Sequence, residues 1–153
     1  MSLTITSAAF SEGGAIPKKY TCDAEDASPP LAWQGVPANS KSLALIAEDP
    51  DAPAGTWVHW VILDMPATLA DLPEGVAKQA TVEGVGVQGN NDFRRVGYGG
   101  PCPPRGKPHR YFFKLYALDI VLNLKAGATK ADLEKAMRGH ILAQGQLVGT
   151  YGR

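Results

Sequence analysis

Cysteine, net charge and long apolar runs are scarce in this sequence, and each scarcity excludes a class of protein. The 153 residues include two cysteines, Cys22 and Cys102, which are too few for a disulfide-dense scaffold and form no Cys-x-x-Cys pair. Lysine plus arginine and aspartate plus glutamate each number 15, so the composition predicts no nucleic-acid partner and no attraction to anionic lipids. No segment is long and apolar enough for membrane insertion.

The N-terminal segment MSLTITSAAFSEGGAIP lacks the basic start and the apolar core of a secretory signal. We therefore expect a cytoplasmic protein, although an exported chain without its signal would read the same. Cysteines in that compartment stay reduced, so we expect Cys22 and Cys102 to be free thiols. A bridge between them stays open, because their spacing alone does not exclude it.

Glycine and proline are abundant, with 17 and 12 residues spread along the chain, and this favours many short strands over long helices. Alternation and β-branched or aromatic content predict five strands, which lie at 4–10, 42–49, 56–65, 110–120 and 146–151. With apolar residues at 44% and charged residues at 20%, the chain reads as one globular domain over residues 1–153. The expected fold is a mainly antiparallel β-sandwich with one or two peripheral helices.

One helix is predicted after Thr129, which fits a capping box with Asp132. Its apolar residues recur every four positions, at Leu133, Met137 and Ile141. Gly145 is its expected stop, and His140 falls within it and is given no function. A weaker helix is predicted at 67–73.

Several polar side chains fall on apolar strand faces near strand ends. By alternation, His59 shares a face with Trp57, Val61 and Leu63. Tyr111 shares one with Phe113, Leu115 and Ala117, and His109 precedes it on the same parity. Asp49 shares a face with Leu43, Leu45 and Ala47. A single histidine in a sheet is more often a satisfied core residue than a ligand, so a functional reading depends on whether these side chains converge.

Two loops add to this picture. The segment AEDPDAPAG at 47–55 comes at the end of an apolar strand and contains two aspartates and two prolines. These residues either form a turn that ends the strand or place Asp49 in a binding site. GGPCPPRGKPHRY at 99–111 contains four prolines and is therefore stiff and poor in backbone donors. It is either a rigid crossover or the wall of a preformed pocket, with exposed N–H groups near Gly99, Gly100 and Cys102.

The sequence resembles the phosphatidylethanolamine-binding protein family, whose members are also called Raf kinase inhibitor proteins. The resemblance rests first on DPDAP (49–53), WVHW (57–60), GYGGPCPP (97–104) and HRYFFKLYALD (109–119). YTCDAEDASPPLAW (20–33), NDF (91–93), AMRGHIL (136–142) and GTYGR (149–153) are similar to its bacterial and archaeal branch. Several long blocks in order, almost from end to end, make the resemblance specific.

The resemblance implies a large antiparallel sheet packed on a smaller one, with an anion pocket at one sheet end that takes phosphate, acetate or a phosphoryl head group. Carried over by residue, the pocket comprises Asp49, His59, His109, Tyr111, Cys102, Pro103 and Pro104. It implies no cofactor and no metal. Since the sequence stops at GTYGR, as prokaryotic members do, it also predicts a more open pocket and weakens the kinase-inhibitor reading.

Within such a pocket we expect Asp49 to accept a hydrogen bond from His59 or His109 and so to favour a positive ring facing the anion. Asp51 would brace the turn, and the X-Pro bonds here are candidates for a cis peptide. Binding of phosphate, a phosphorylated small molecule or a phosphorylated protein is expected with little catalysis, and sulfate affinity should fall as pH rises through the histidine pKa.

Two other functions stay open at this point. Cys102 with a histidine and Asp49 could form a hydrolase site, although nothing in the sequence activates the thiol. The two histidines and Asp49 also have the composition of a metal triad, but no ligand-spacing motif is present. Exposed strand edges would favour a homodimer.

Overall fold

The computed structural model describes residues 2–153, which form short strands and one α-helix. The strands are β1 (Thr4–Thr6), β2 (Leu31–Gln34), β3 (Ser42–Asp49), β4 (Trp57–Pro66), β5 (Asp71–Leu72), β6 (Thr81–Val82), β7 (Gly86–Gln88), β8 (His109–Leu118) and β9 (Ile141–Tyr151). The helix is α1 (Lys130–Met137), and Lys18–Tyr20 form a single 3-10 turn. No helix in the described part of the chain is long and apolar enough to cross a membrane.

The strands form two antiparallel sheets. The larger has the order β6-β7-β4-β3-β8-β9 and the smaller the order β1-β2-β5, so the expected mainly antiparallel β-sandwich is confirmed. β3 is central, and all eight of its residues are buried. Leu43, Leu45 and Ala47 pack between the two sheets, whereas Ala44 and Ile46 pack beneath α1. A strand with apolar side chains on both faces can only lie in the middle of such a sandwich.

The helix begins as predicted and ends earlier. Thr129 and Asp132 form both hydrogen bonds of the capping box, and Leu133 and Met137 are buried. Gly139 then adopts a φ of 82°, a left-handed conformation that ends helices. The extension to Ile141 was wrong, because that residue starts β9 and is 41% exposed.

Other elements differ from the predictions for tertiary reasons. The weak helix at 67–73 is wrong: Asp71–Leu72 form β5, where pairing with β2 buries Leu72. The first strand is three residues long, and the last begins five residues before the predicted start. The short strands β2, β5, β6 and β7 were not predicted, because two to four residues carry too little periodicity.

The long edge strand β9 is covered by the N-terminal segment. Ser2 and Ala15 bridge to Gln144 and Thr150 of β9, and Leu3 N–H donates to the Gln144 carbonyl at 3.0 Å. This edge of the larger sheet is thus shielded by the chain itself. The expected homodimer, which rested on exposed strand edges in general, stays a prediction.

Candidate functional site

A cavity of about 200 Å³ opens where β3 ends and where β4 and β8 begin. These ends meet because both neighbours run antiparallel to β3. The lining residues are Asp49, Ala52, Pro53, Trp57, His59, Phe93, Cys102, Pro103, Pro104, His109 and Tyr111. The structure thus brings together every site residue proposed from the sequence, across as many as sixty-two positions.

Asp49 is buried and holds two groups at this sheet end. Its Oδ2 accepts a hydrogen bond from His109 Nδ1 at 2.7 Å, and its Oδ1 accepts one from the Asp51 backbone N–H at 2.7 Å. Because a carboxylate only accepts, His109 carries its hydrogen on Nδ1, which leaves Nε2 as the nitrogen able to reach a ligand. Of the two expected histidine partners of Asp49, the structure shows His109.

His59 is held by a different acceptor. The ring is 4% exposed, and its Nδ1 lies 2.6 Å from the Gly99 carbonyl oxygen. It sits edge-on between Phe93 and Tyr111, with ring centroids 5.4 and 5.2 Å away. Burial lowers the pKa of His59, against smaller raising contributions from the Gly99 carbonyl and Asp49. The unliganded ring is therefore neutral at pH 7, with Nδ1–H bonded and Nε2 available.

The position of His59 depends on a β-bulge. Ala47 pairs with Trp60 but Glu48 pairs with Val58, so His59 is an extra residue in β4. Trp60 consequently packs between the sheets and Val61 beneath α1. The predicted face shared with Val61 and Leu63 was wrong, since alternation fails across a bulge. His59 instead shares the cavity with Trp57.

Tyr111 lines this site and has a buried hydroxyl. The residue is 2% exposed, and its hydroxyl oxygen has no hydrogen-bond partner within residues 2–153. Burial, with a smaller effect from Asp49, raises the pKa of Tyr111. The group is therefore a permanent donor near neutral pH. Buried polar atoms without a partner are uncommon and call for an explanation.

Two glycines allow the loop to close around the site. A Cβ on Gly99 would lie 2.5 Å from the Phe93 ring, and one on Gly100 would lie 2.3 Å from the Tyr20 carbonyl oxygen. The expectation of exposed N–H groups here was wrong for both. Gly99 N–H donates to the His59 carbonyl at 2.9 Å, and Gly100 N–H donates to Asp26 Oδ1 at 2.8 Å.

Phe93 was missed as a lining residue, although the NDF block contains it. Asn91 Oδ1 accepts hydrogen bonds from the backbone N–H groups of Phe93 and Arg95, and Asn91 Nδ2 donates to the Gly97 carbonyl. An asparagine that bonds to the backbone two residues ahead is a recognisable turn signal. Only the folded chain shows that this turn brings Phe93 against Trp57 and His59.

Cys22 and Cys102 form a disulfide, so the prediction of two free thiols was wrong. Their Cα atoms lie 5.4 Å apart although 80 positions separate them in sequence. The prediction was drawn from the absence of a signal sequence, which does not determine the distance between two side chains. A bridged Cys102 is not a nucleophile, so the hydrolase alternative lacks its attacking group.

Two further points from the sequence concern a metal site and cis peptide bonds. Residues 2–153 contain no group of three or more histidine, cysteine, aspartate or glutamate side chains placed to hold a metal ion. No peptide bond in the described chain is cis, so the candidate X-Pro bonds at 49–53 are all trans.

Asp51 braces the turn through β8. Its carboxylate accepts hydrogen bonds from Arg110 N, Nε and Nη2 at 3.0, 2.9 and 2.8 Å. The side-chain bonds to Arg110 are the largest cause that lowers the pKa of Asp51, to about 2. This ion pair ties the loop after β3 to the start of β8.

Asp51→Asn should lower stability at neutral pH and lose that effect in acid. A carboxylate with a depressed pKa contributes fully to the free energy of unfolding when the pH is above its unfolded-state pKa of about 3.9. This contribution is lost as the pH falls through the folded-state pKa. Urea midpoints of wild type and variant should therefore differ at pH 7 and approach each other as pH falls from 4 to 2. Asp71→Asn, at an exposed position on β5, is the control. A gap as large at pH 2 as at pH 7 would contradict this account.

Known proteins match this chain over nearly its whole length. A family model described as phosphatidylethanolamine-binding protein matches residues 6–152. A UPF0098 protein of Methanothermobacter thermautotrophicus is 53% identical over 145 residues, 95% of each chain. One from Pyrococcus abyssi is 51% identical over 150 residues, 96% of this chain and 84% of the relative.

Solved structures agree with the sequence relatives. The crystal structure of a phosphatidylethanolamine-binding protein homologue from Chlamydia trachomatis has a TM-score of 0.90 and 44% identity, covering 99% of this chain and 98% of that one. YbcL of E. coli, described as a new member of the mammalian family, has a TM-score of 0.90 and 31% identity, covering 100% and 99%. The chain therefore belongs to the phosphatidylethanolamine-binding protein family.

Proposed function

We propose that the cavity binds a small anion such as phosphate, a phosphoryl head group or an acetate-like carboxylate, and that the protein is a non-catalytic binding protein. The observation that carries this proposal is the buried hydroxyl of Tyr111, which has no partner within residues 2–153 and belongs to a residue that lines the cavity with His59 and His109. A hydroxyl left without an acceptor costs free energy, and an anion would supply the acceptor.

The two histidines complement this hydroxyl. Each ring has its Nδ1 occupied, by Asp49 for His109 and by Gly99 for His59, so each offers Nε2. The only carboxylate among the lining residues is Asp49, and His109 shields it. Protonation of a ring on binding would turn Nε2 into a charged donor, which forms stronger hydrogen bonds to anions than a neutral one.

The size and walls of the cavity favour a small group over a large ligand. A volume of about 200 Å³ lies below the range usual for drug-sized ligands. Trp57, Phe93, Pro103 and Pro104 form apolar walls around the polar groups, and exclusion of water strengthens charge interactions there. The family name points to a phosphoryl head group, and a phosphorylated side chain of a protein partner offers the same acceptor oxygens.

Cellular location and regulation stay predictions. A cytoplasmic location was expected from the sequence, but disulfides are uncommon in that compartment outside hyperthermophiles. Kinase inhibition rests on the family's second name. The hydrolase alternative would need a thiolate at Cys102, and that sulfur is bonded to Cys22.

Tyr111→Phe should weaken sulfate binding and stabilise the unliganded protein. Loss of the donor should cost about fivefold to tenfold in affinity, because one hydrogen bond contributes about 1 kcal/mol. Removal of a buried polar atom without a partner should raise the free energy of unfolding by a similar amount. Titration calorimetry and urea unfolding measure the two effects. Tyr116→Phe, on the opposite face of β8, is the control, and unchanged sulfate affinity in Tyr111→Phe would count against this site.

A further inference from the structure

The disulfide forms part of the cavity wall in an asymmetric way. Cys102 lines the cavity that contains His59 and His109. It also lines a neighbouring cavity of about 280 Å³, and Cys22 lines only that second one. Cys102 is thus the half of the bridge that can be approached from the proposed anion site, and Cys22 is on the side away from it.

A cation lies against both sulfur atoms. Arg153 Nη2 is 2.9 Å from Cys22 Sγ and 3.3 Å from Cys102 Sγ. Asp23 holds the guanidinium in place, with Nε to Oδ2 at 3.1 Å and Nη2 to Oδ1 at 2.8 Å, and Tyr151 donates to the same carboxylate. A nearby cation stabilises a thiolate, and a stabilised thiolate leaves a disulfide faster. Both cysteines are also exposed, so the bridge is accessible.

We propose that Cys22–Cys102 is an exchange-active disulfide, and that the anion cavity directs to it small thiols that carry an anionic group. The anionic group would occupy the site of His59, His109 and Tyr111 while the sulfur reaches Cys102. This inference rests on the proposed anion binding and names a ligand class for the same site.

The reaction is thiol–disulfide exchange. The ligand thiol loses its proton to solvent, and the resulting thiolate attacks Cys102 Sγ and forms a new S–S bond. The Cys22–Cys102 bond breaks, and its electron pair goes to Cys22 Sγ, which leaves as a thiolate beside Arg153. The ligand sulfur is oxidised to a mixed disulfide and the Cys22 sulfur is reduced, so no further oxidant or reductant takes part. A second thiol of the same class would release Cys102 and complete the reduction.

The test compares 2-mercaptoethanesulfonate with neutral 2-mercaptoethanol at constant ionic strength. Intact mass gives the rate of adduct formation, and peptide mapping gives the modified cysteine. The anionic thiol should react about tenfold faster, in the range by which electrostatic guidance raises association rates. Its rate should saturate with concentration and fall in the presence of sulfate, and the adduct should lie on Cys102. Equal rates for the two thiols, or an adduct on Cys22, would overturn the proposal.

Three variants distinguish the effect of anion binding in the cavity from the electrostatic effect of Arg153. His109→Ala should remove the preference for the anionic thiol. Arg153→Gln should slow both thiols and leave their ratio intact, and Arg138→Gln, at the end of α1, should change neither rate. A preference that survives His109→Ala would mean that Arg153 alone attracts the anion, which overturns guidance by the cavity. Titration of the wild type with sulfate by calorimetry distinguishes failure of this inference from failure of the proposed function. If sulfate binds but the two thiols react at equal rates, only this inference is contradicted. If sulfate does not bind, the proposed function is contradicted as well.

Discussion

His59→Ala and His109→Ala should each weaken sulfate binding by about tenfold to a hundredfold, because a hydrogen bond to a charged group contributes about 1.5–3 kcal/mol. Titration calorimetry measures the effect directly. His140→Ala is the matched control, since His140 pairs with Asp119 outside the cavity. Unchanged sulfate affinity in both cavity variants would mean that the anion site lies elsewhere or does not exist.

The affinity for sulfate should increase as the pH falls. Burial lowers the pKa of His59 below its ordinary value, so the unliganded ring is neutral at pH 7 and must take up a proton to become a charged donor. Sulfate prefers the protonated ring and should raise its pKa, so affinity should increase as pH falls from 8 to 5. Proton uptake on binding should show as a buffer-dependent enthalpy.

Sulfate is the correct probe because its charge is constant over this range, whereas the second ionisation of phosphate near pH 6 acts in the opposite direction. Asp49→Asn keeps an oxygen acceptor for His109 Nδ1 and removes the negative charge that raises the pKa of His59, so the rise in affinity should move to lower pH and the profile between pH 5 and 8 should flatten. A profile that rises with pH in the wild type would contradict protonation-linked binding.

Removal of the disulfide should have the largest effect on stability. Cys22 and Cys102 close a loop over 80 positions, and in the chain-entropy account such a cross-link stabilises the folded state by about 2–5 kcal/mol. The double variant Cys22→Ser with Cys102→Ser should lose that amount in urea unfolding. Its melting temperature should fall by roughly 5–20 °C for a domain of this size.

Reduction supplies the control for this prediction. Wild type treated with a reductant should approach the stability of the double variant, and the variant itself should not respond to the reductant. Thiol counting on unfolded, unreduced wild type should find no free group. Equal urea midpoints for oxidised wild type and the double variant would contradict a stabilising bridge.

Local patterns in the sequence were sufficient for part of this structure. The apolar run at 42–49 has the bounds of β3, because a strand buried on both faces needs only continuous apolar character and a proline to end it. Thr129 and Asp132 predicted the start of α1, since a capping box involves four consecutive residues. The alternation in 110–120 placed Tyr111 on the face of Phe113 and Leu115, as observed.

Tertiary pairing decided the features that give the cavity its chemistry. The bulge at His59 arises from the register between β3 and β4, which no window of β4 alone contains. The partners of the two histidines, Asp49 and the Gly99 carbonyl, lie 60 and 40 positions away. The disulfide depends on two loops meeting, and Phe93 reaches the cavity only when its turn packs on β4. Composition and periodicity determine which segments form strands, whereas the contacts between distant segments depend on how those strands are paired, and this pairing alone sets the distances in the site.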